Sequence, residues 1–299
     1  MDLNRFPPPP RAFFSDLSPK GSDAPLGVDI GGLEFSLLGL DSTTREHLRD
    51  RYAAFPAAGS TKPFRVRLLD AGRDHFVPPA SVPQGAPHPL TLEWEGPWIL
   101  VQSFGFAGWI SIGTQEGEMA LARSEYERVG WCVENFLRVC TAWRAVEEGG
   151  ALLHAASLVL DGKAYVFMGA SGSGKSTLAA NSKKGQVISD DLTLIRPSAE
   201  GFRVAGTPFR GTYEGGGPIR GSFPLARLYR IFQSPDNRVE PCPRNHAVAD
   251  LLAAAPFVVD QIGRDDRILL TFKALDDSHP LAYLFFNLGG EFWRVLDVD

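Results

Sequence analysis

Hydrophobic and polar positions alternate in two different ways along this chain. In Phe64-Arg65-Val66-Arg67-Leu68 they alternate with period two, which predicts a half-exposed strand with Arg65 and Arg67 on its solvated face. Leu90–Trp94 alternates again, and Trp98–Phe104 and Trp109–Ile112 follow, giving an antiparallel meander with turns at Glu95–Pro97 and Gly105–Gly108. Its aromatics (Trp94, Trp98, Phe104, Phe106, Trp109) sit at strand spacing and read as core, in preference to a stacking surface for a base or sugar. Residues 119–148 change period. Val129, Cys132, Phe136, Val139, Cys140, Trp143 and Val146 recur at steps of three and four, predicting one long helix that Gly149-Gly150 ends. Ala71–Pro89 is rich in Pro and Gly and predicts a loop. Residues 1–25, with the run Pro7–Pro10, predict a flexible or surface-draped arm.

Beyond residue 149 the elements shorten. Ala155–Leu160, the turn Asp161-Gly162 and Lys163–Met168 predict a hairpin. A short helix from Lys175 ends near Lys183-Lys184-Gly185, and Gln186–Ser189 follows as a strand. Leu192–Arg196 and Phe202–Val204 predict a second hairpin, Thr207–Pro224 a long loop, and Leu228–Phe232 a strand. Asn245–Ala255 and Val259–Leu275 predict helices; Leu281–Phe286 and Phe292–Leu296 predict two closing strands. The expected organisation is an arm over 1–25, an α+β N-terminal region over 26–148, and an α/β domain over 149–299.

Composition sets the surroundings. With 44% hydrophobic and 22% charged residues the chain has the make-up of a soluble globular protein. A formal net charge of −5 argues against a protein that grips nucleic acid through its phosphates. Cys132, Cys140 and Cys242 are odd in number and lack metal-ligand spacing, so a reducing cytoplasm is expected. No apolar run approaches a membrane span, and no membrane partner is expected.

The chemistry gathers at Gly169-Ala170-Ser171-Gly172-Ser173-Gly174-Lys175-Ser176-Thr177, which fits the phosphate-binding pattern G-x-x-x-x-G-K-[ST]. Three glycines let backbone N–H groups turn inward around phosphate oxygens. Lys175 supplies a point charge for β- and γ-phosphates, and the Ser176 hydroxyl suits Mg²⁺. The apolar run before the loop and the helix formers after it give the strand-loop-helix order that phosphate binding uses. Asp190 and Asp191 end the next strand; one carboxylate there can hold Mg²⁺ and the other can take a proton from an attacking hydroxyl. His154 lies just before the hairpin in an apolar context that also suits a core histidine. No guanine-reading Asn-Lys-x-Asp motif and no protein-kinase motif set is present.

Leu153–Ile195 resembles the catalytic domain of HPr(Ser) kinase/phosphorylase, a relative of ATP-dependent phosphoenolpyruvate carboxykinase. The features that carry the resemblance are His154 opening a hairpin, Gly169 fifteen residues later, the loop through Ser176, a short helix, and the pair Asp190-Asp191. The resemblance implies a phosphoenolpyruvate carboxykinase-like P-loop domain with a mixed β-sheet, using ATP and Mg²⁺. It implies that Lys175 binds phosphates, Ser176 holds the metal, and Asp191 is the general base with His154 assisting, which leaves Asp190 as the carboxylate for the metal. Gly206–Gly211 through Leu225–Ile231 and the terminal Phe292–Leu296 resemble the HPr-kinase-related proteins, often found beside peptide-modification genes. Ile219-Arg220-Gly221 matches a family segment, but Pro218 stands where HPr kinase has a metal-site glutamate; Glu214 is the candidate replacement. Arg210 and Arg220 would serve the substrate loop. The expected activity is transfer of the γ-phosphoryl group to a hydroxyl, a serine of a peptide or small protein. A small-molecule hydroxyl, a carboxykinase-like reaction and a non-catalytic ATP sensor or scaffold are the alternatives, and a homo-oligomer is left open.

Overall fold

The computed structural model describes residues 6–78, 90–209, 211, 219–261, 263–289 and 291–296. The protein is mixed α/β and separates into two units, Met1–Cys140 and Thr141–Asp299.

In the first unit, β1 (Leu26–Ile30), β2 (Leu33–Leu38), helix α1 (Ser42–Arg51), β3 (Phe64–Asp70), β4 (Thr91–Glu95), β5 (Trp98–Gln102), β6 (Phe106–Ser111) and β7 (Glu116–Leu121) follow in order. The seven strands form one mixed sheet in the order β1-β2-β3-β7-β6-β5-β4. β3 pairs in parallel with both β2 and β7, and the remaining pairs are antiparallel. Asp41 starts α1 by accepting the Thr44 N–H. Helix α2 (Val129–Glu147) carries the chain across the division between the units.

Three expectations change here. The long helix begins at Val129, and residues 116–121 within and before the expected span are strand β7. Met119-Ala120-Leu121 are good helix formers, but Gly117 brings β7 against β6: a Cβ there would stand 2.5 Å from the Trp109 carbonyl oxygen. Of the flexible or surface-draped arm expected over 1–25, residues 6–25 take the draped form. A 3₁₀ turn, Arg11–Asp16, buries Phe14 among Leu69, Leu100 and Trp109, and Ser22 and Leu40 exchange two backbone hydrogen bonds of 3.0 Å. Burial of Phe14 outweighs the Pro-rich composition. Phe106 is strand, not turn, and residues 26–51 hold two strands and a helix that periodicity did not bring out. Of the loop expected over 71–89, residues 79–89 lie outside the described residues.

The second unit is built on an eight-stranded mixed sheet: β8 (Ala151–Leu160), β9 (Lys163–Met168), β10 (Gln186–Ser189), β11 (Leu192–Ser198), β12 (Gly201–Ala205), β13 (Ser222–Gln233), β14 (Arg238–Pro241) and β15 (Ala282–Phe286). Helices α3 (Lys175–Asn181), α4 (Arg244–Ala253) and α5 (Asp266–Ser278) complete it. The β8–β9 hairpin turns through Asp161 (φ 51°) and Gly162 (φ 77°), the positive-φ pair of a type I′ turn. β13 is parallel to β9 and to β15, so the carboxyl ends of three strands lie side by side. Pairing also runs in a closed circuit, β8–β11–β12–β13–β9–β8.

β13 is far longer than the Leu228–Phe232 core that apolar content marks, and it includes Pro224. The helix expected over Val259–Leu275 divides into a 3₁₀ turn (Val259–Gln261) and α5, capped by Asp265 accepting the Arg267 N–H. Phe292–Leu296 is not a strand. It forms a 3₁₀ turn whose Phe292 and Trp293 plug the core beside Tyr165, Phe167 and Tyr229. No helix among the described residues is long and apolar enough to cross a membrane.

Candidate active site

Strand β9 is buried from Ala164 to Met168, and its carboxyl end opens directly into the loop Gly169–Gly174 and helix α3. Gly172 (φ 77°) and Gly174 (φ 98°) take left-handed conformations that turn the backbone around the loop. A Cβ on Gly174 would also press on Phe286 and Gln233, at 3.2 and 3.3 Å. Gln233, the last residue of β13, donates its side-chain amide to the Gly172 carbonyl at 3.3 Å and braces the loop. Ala170, Ser171, Gly172 and Thr177 are exposed, whereas Gly169, Ser173, Gly174 and Ser176 are half-buried.

Lys175 is buried at 6% exposure, and its Nζ donates to the Gly169 and Ala170 carbonyls at 2.8 and 3.1 Å. Burial lowers its pKa from the usual lysine value, while the Asp191 charge pulls it back up. The ammonium therefore sits in the loop under the influence of the carboxylate expected to act as base. The Ser173 hydroxyl is buried with no hydrogen-bond partner among the described residues. A buried orphan hydroxyl at the heart of a glycine-rich loop suits a phosphate oxygen as its missing acceptor.

The two aspartates are placed by β8. β10 and β11 both run antiparallel to β8 on consecutive stretches, Gln186–Ser189 opposite Val159–Ser157 and Leu192–Ile195 opposite His154–Ala151. Asp190 and Asp191 are the interruption between these two stretches, next to a register shift between Val187 and Ser189. Irregularities of this kind re-aim side chains. The Ser189 hydroxyl fixes the interruption by donating to the Leu192 carbonyl at 2.9 Å and accepting the Asp191 N–H at 3.3 Å. Ala155 N–H bonds the Asp191 carbonyl at 3.0 Å, and this puts His154 Nε2 3.6 Å from Asp191 Oδ1. His154 lies within β8, not ahead of the hairpin, and its side chain is 43% exposed, so it is no core histidine.

Asp190 is buried, and its Oδ1 accepts the Gly211 N–H at 2.9 Å. Only glycine fits at 211, because a Cβ would stand 2.4 Å from Asp190 Oδ2 and 3.0 Å from Asp191 Cβ. The excursion that carries Gly211 is tied at its neck by Gly206 N–H to Gly221 O, 3.0 Å. Arg220 is exposed at that neck. Arg210 and Glu214, expected on the substrate loop and at the metal, lie outside the described residues. Sequence reasoning missed Gly211 and Gln233. Gly211 closes a motif-like run with nothing to mark its contact with Asp190, and Gln233 lies 61 positions from the glycine it braces.

Ser176 and Asp190 are oxygen donors of the kind Mg²⁺ takes alongside substrate phosphates. Among the described residues no group of three or more His, Cys, Asp or Glu side chains is placed to hold a metal ion by itself. That sparse donor set fits a cation shared with phosphates better than a dedicated protein cage.

Taken with the fold, the site marks a mixed α/β protein whose second unit presents a P-loop motif at the carboxyl end of a buried strand. A family model described as SynChlorMet cassette protein ScmC matches residues 129–297, more than half of the chain, and the protein belongs to this family. The match starts with α2 and spans the whole second sheet. No curated protein matches the chain.

Proposed function

We propose that the second unit is a phosphoenolpyruvate carboxykinase-like P-loop domain and that the protein is an ATP-dependent phosphotransferase of the HPr-kinase-like class. The acceptor on this reading is a hydroxyl, a serine of a peptide or small protein. One observation carries it: the Lys175 ammonium feels the charge of Asp191, and Asp191 lies 3.6 Å from His154. A pure phosphate cradle has no use for a carboxylate-histidine pair within electrostatic reach of its lysine.

Each residue then has a separate task. Backbone N–H groups of Gly169–Gly174 and the Ser173 hydroxyl receive phosphate oxygens. Lys175 exchanges its two loop carbonyls for phosphate, which offsets the cost of burying its charge. Ser176 and Asp190 hold Mg²⁺, which would neutralise charge developing on the transferred group. Asp191 takes the proton of the acceptor hydroxyl, and His154 orients the carboxylate and steadies its charge. Asp190 and Asp191 differ in exposure, 8% for the first against a half-exposed second, which favours the second for contact with an incoming acceptor.

The test is label transfer from γ-labelled ATP to a component of an extract from the source cells, followed by mass spectrometry of the labelled species. Transfer that disappears in Lys175→Ala supports the assignment. A thermal shift with Mg-ATP but no transfer to any component favours a nucleotide-sensing scaffold; a labelled metabolite favours a small-molecule acceptor. The family's description as a cassette protein directs the search for the acceptor to products of the genes that accompany it.

A further inference from the structure

A cavity of about 390 Å³ lies in the first unit, where the start of β6 meets the first turns of α2; Phe106, Glu125, Arg128, Trp131 and Cys132 are among its lining. Small-molecule sites run from about 300 to 1,000 Å³, so this one suits a compact ligand. A 3₁₀ turn, Arg123–Arg128, leads into α2 and carries Glu125 inward. The side chain fits because residue 105 is glycine: a Cβ there would stand 2.1 Å from Glu125 Cγ. Glu125 is only 4% exposed. Its Oε1 accepts from Arg128 Nη2 at 2.9 Å, whereas its Oε2 has only the Cys132 thiol, 3.9 Å away and a weak donor. Buried Ser103 and half-buried Asn135 line the same space, and neither side chain has a hydrogen-bond partner among the described residues. The remaining wall is aromatic. Phe106 is buried, but Trp131 is 63% exposed, the one exposed Phe, Tyr or Trp among the described residues.

We infer that this cavity binds a neutral aromatic molecule of one or two rings that carries an N–H or O–H donor. Phe106 and Trp131 supply ring contact, and Glu125 Oε2 supplies the acceptor. Charge decides the rest. Arg128 already matches Glu125, so an ammonium or a carboxylate on the ligand would be desolvated without a partner of its own. A neutral N–H instead gives Oε2 the donor it lacks and leaves the ion pair in place. Ser103 and Asn135 can each bond a second polar group at the ligand's edge. Covering Trp131 removes from water the largest apolar side chain left open in the described structure. None of these residues belongs to the P-loop site, so the inference stands apart from the phosphotransferase reading.

The experiment is isothermal titration calorimetry of the full-length chain with four probes: indole, 1-methylindole, tryptamine and indole-3-acetate. The wild type should bind indole, and 1-methylindole about tenfold or more weakly, because methylation removes the donor that Oε2 accepts. Tryptamine and indole-3-acetate should both bind more weakly than indole. Glu125→Gln should shrink the preference for indole over 1-methylindole several-fold, and Trp131→Ala should weaken both probes alike. The Mg-ATP thermal shift should be unchanged in Trp131→Ala, and Lys175→Ala should leave indole binding intact. Where Glu125→Gln fails to fold, the comparison of probes on the wild type decides by itself. Equal binding of indole and 1-methylindole would overturn the inference, as would tighter binding of either charged probe or no binding of indole at all. An undiminished preference for indole in folded Glu125→Gln would overturn it too.

Discussion

The two sheets both use parallel pairing between distant strands, yet they place chemistry at opposite parts of the sheet. In the second unit β9, β13 and β15 run parallel, and the loop emerges where their carboxyl ends meet, braced by Gln233 and Phe286. Ligands in parallel α/β sheets gather at that end because loops there have free backbone groups to offer. In the first unit β2, β3 and β7 run parallel, but a charged cavity sits on the sheet face, where arginine and glutamate side chains line it. A backbone cradle depends on glycine conformations and on the core beneath it. A face site depends on which side chains share a face and can be dismantled without touching the fold.

The sharpest break between the regions should come from the core under the loop. Trp293 meets Tyr165 edge-on at 5.3 Å and donates its indole N–H to Ser182 at 2.7 Å, just past the end of α3. Trp293→Ala should cost about 3–5 kcal/mol in urea unfolding, with loss of the Mg-ATP thermal shift. Next in size, Lys175→Ala should lower phosphoryl transfer about 10²–10³-fold while leaving the melting temperature without nucleotide within a few degrees, measured by label transfer and by thermal unfolding. Removing Arg65 and Arg67 should change neither property.

Much of the strand-end site was legible because its parts are neighbours in sequence. His154, the loop and the Asp-Asp pair fall within one hairpin, one short helix and one strand, and it was that spacing on which the family resemblance rested. What spacing could not supply was the partner of each part. Asp190 and Asp191 read as the end of a strand, whereas they interrupt one that continues along β8, which sets Asp191 beside His154 and Asp190 against Gly211. Gly211 and Gln233 reach the site through long-range packing that no local pattern encodes. The face site was harder still. Arg65 and Arg67 read correctly as a shared exposed face, but Glu116 and Glu118 fell just ahead of, or at the edge of, an expected helix. Helix propensity in Met119-Ala120-Leu121 competed with pairing to β3 and β6, and tertiary pairing decided. Phe292–Leu296 misled for a related reason. An aromatic run satisfies a core as a 3₁₀ plug as well as it does as a strand.

The smallest effect separates the regions by pH. In the first unit the Cys132 thiol is pushed from 9.0 up to about 12 by burial, with the Glu125 charge adding to it. A thiol whose pKa is raised on folding stabilises the native state fully below the unfolded value, and that contribution is lost as pH rises from 9.0 toward 12. The urea midpoint should therefore fall between about pH 9 and pH 11, and Cys132→Ala should flatten part of that slope. An unchanged slope in the variant would assign the alkaline loss to other groups.

In the proposed reaction a proton-accepting carboxylate, Asp191, works beside a phosphate cradle in the second unit. Its most direct measurement compares wild type and Asp191→Asn in two assays on the same preparations, the Mg-ATP thermal shift and γ-phosphoryl transfer to the acceptor. Asp191→Asn should keep the nucleotide-induced shift and lose transfer by about 10²-fold or more. Transfer undiminished in Asp191→Asn, or no Mg-ATP shift in the wild type, would contradict it.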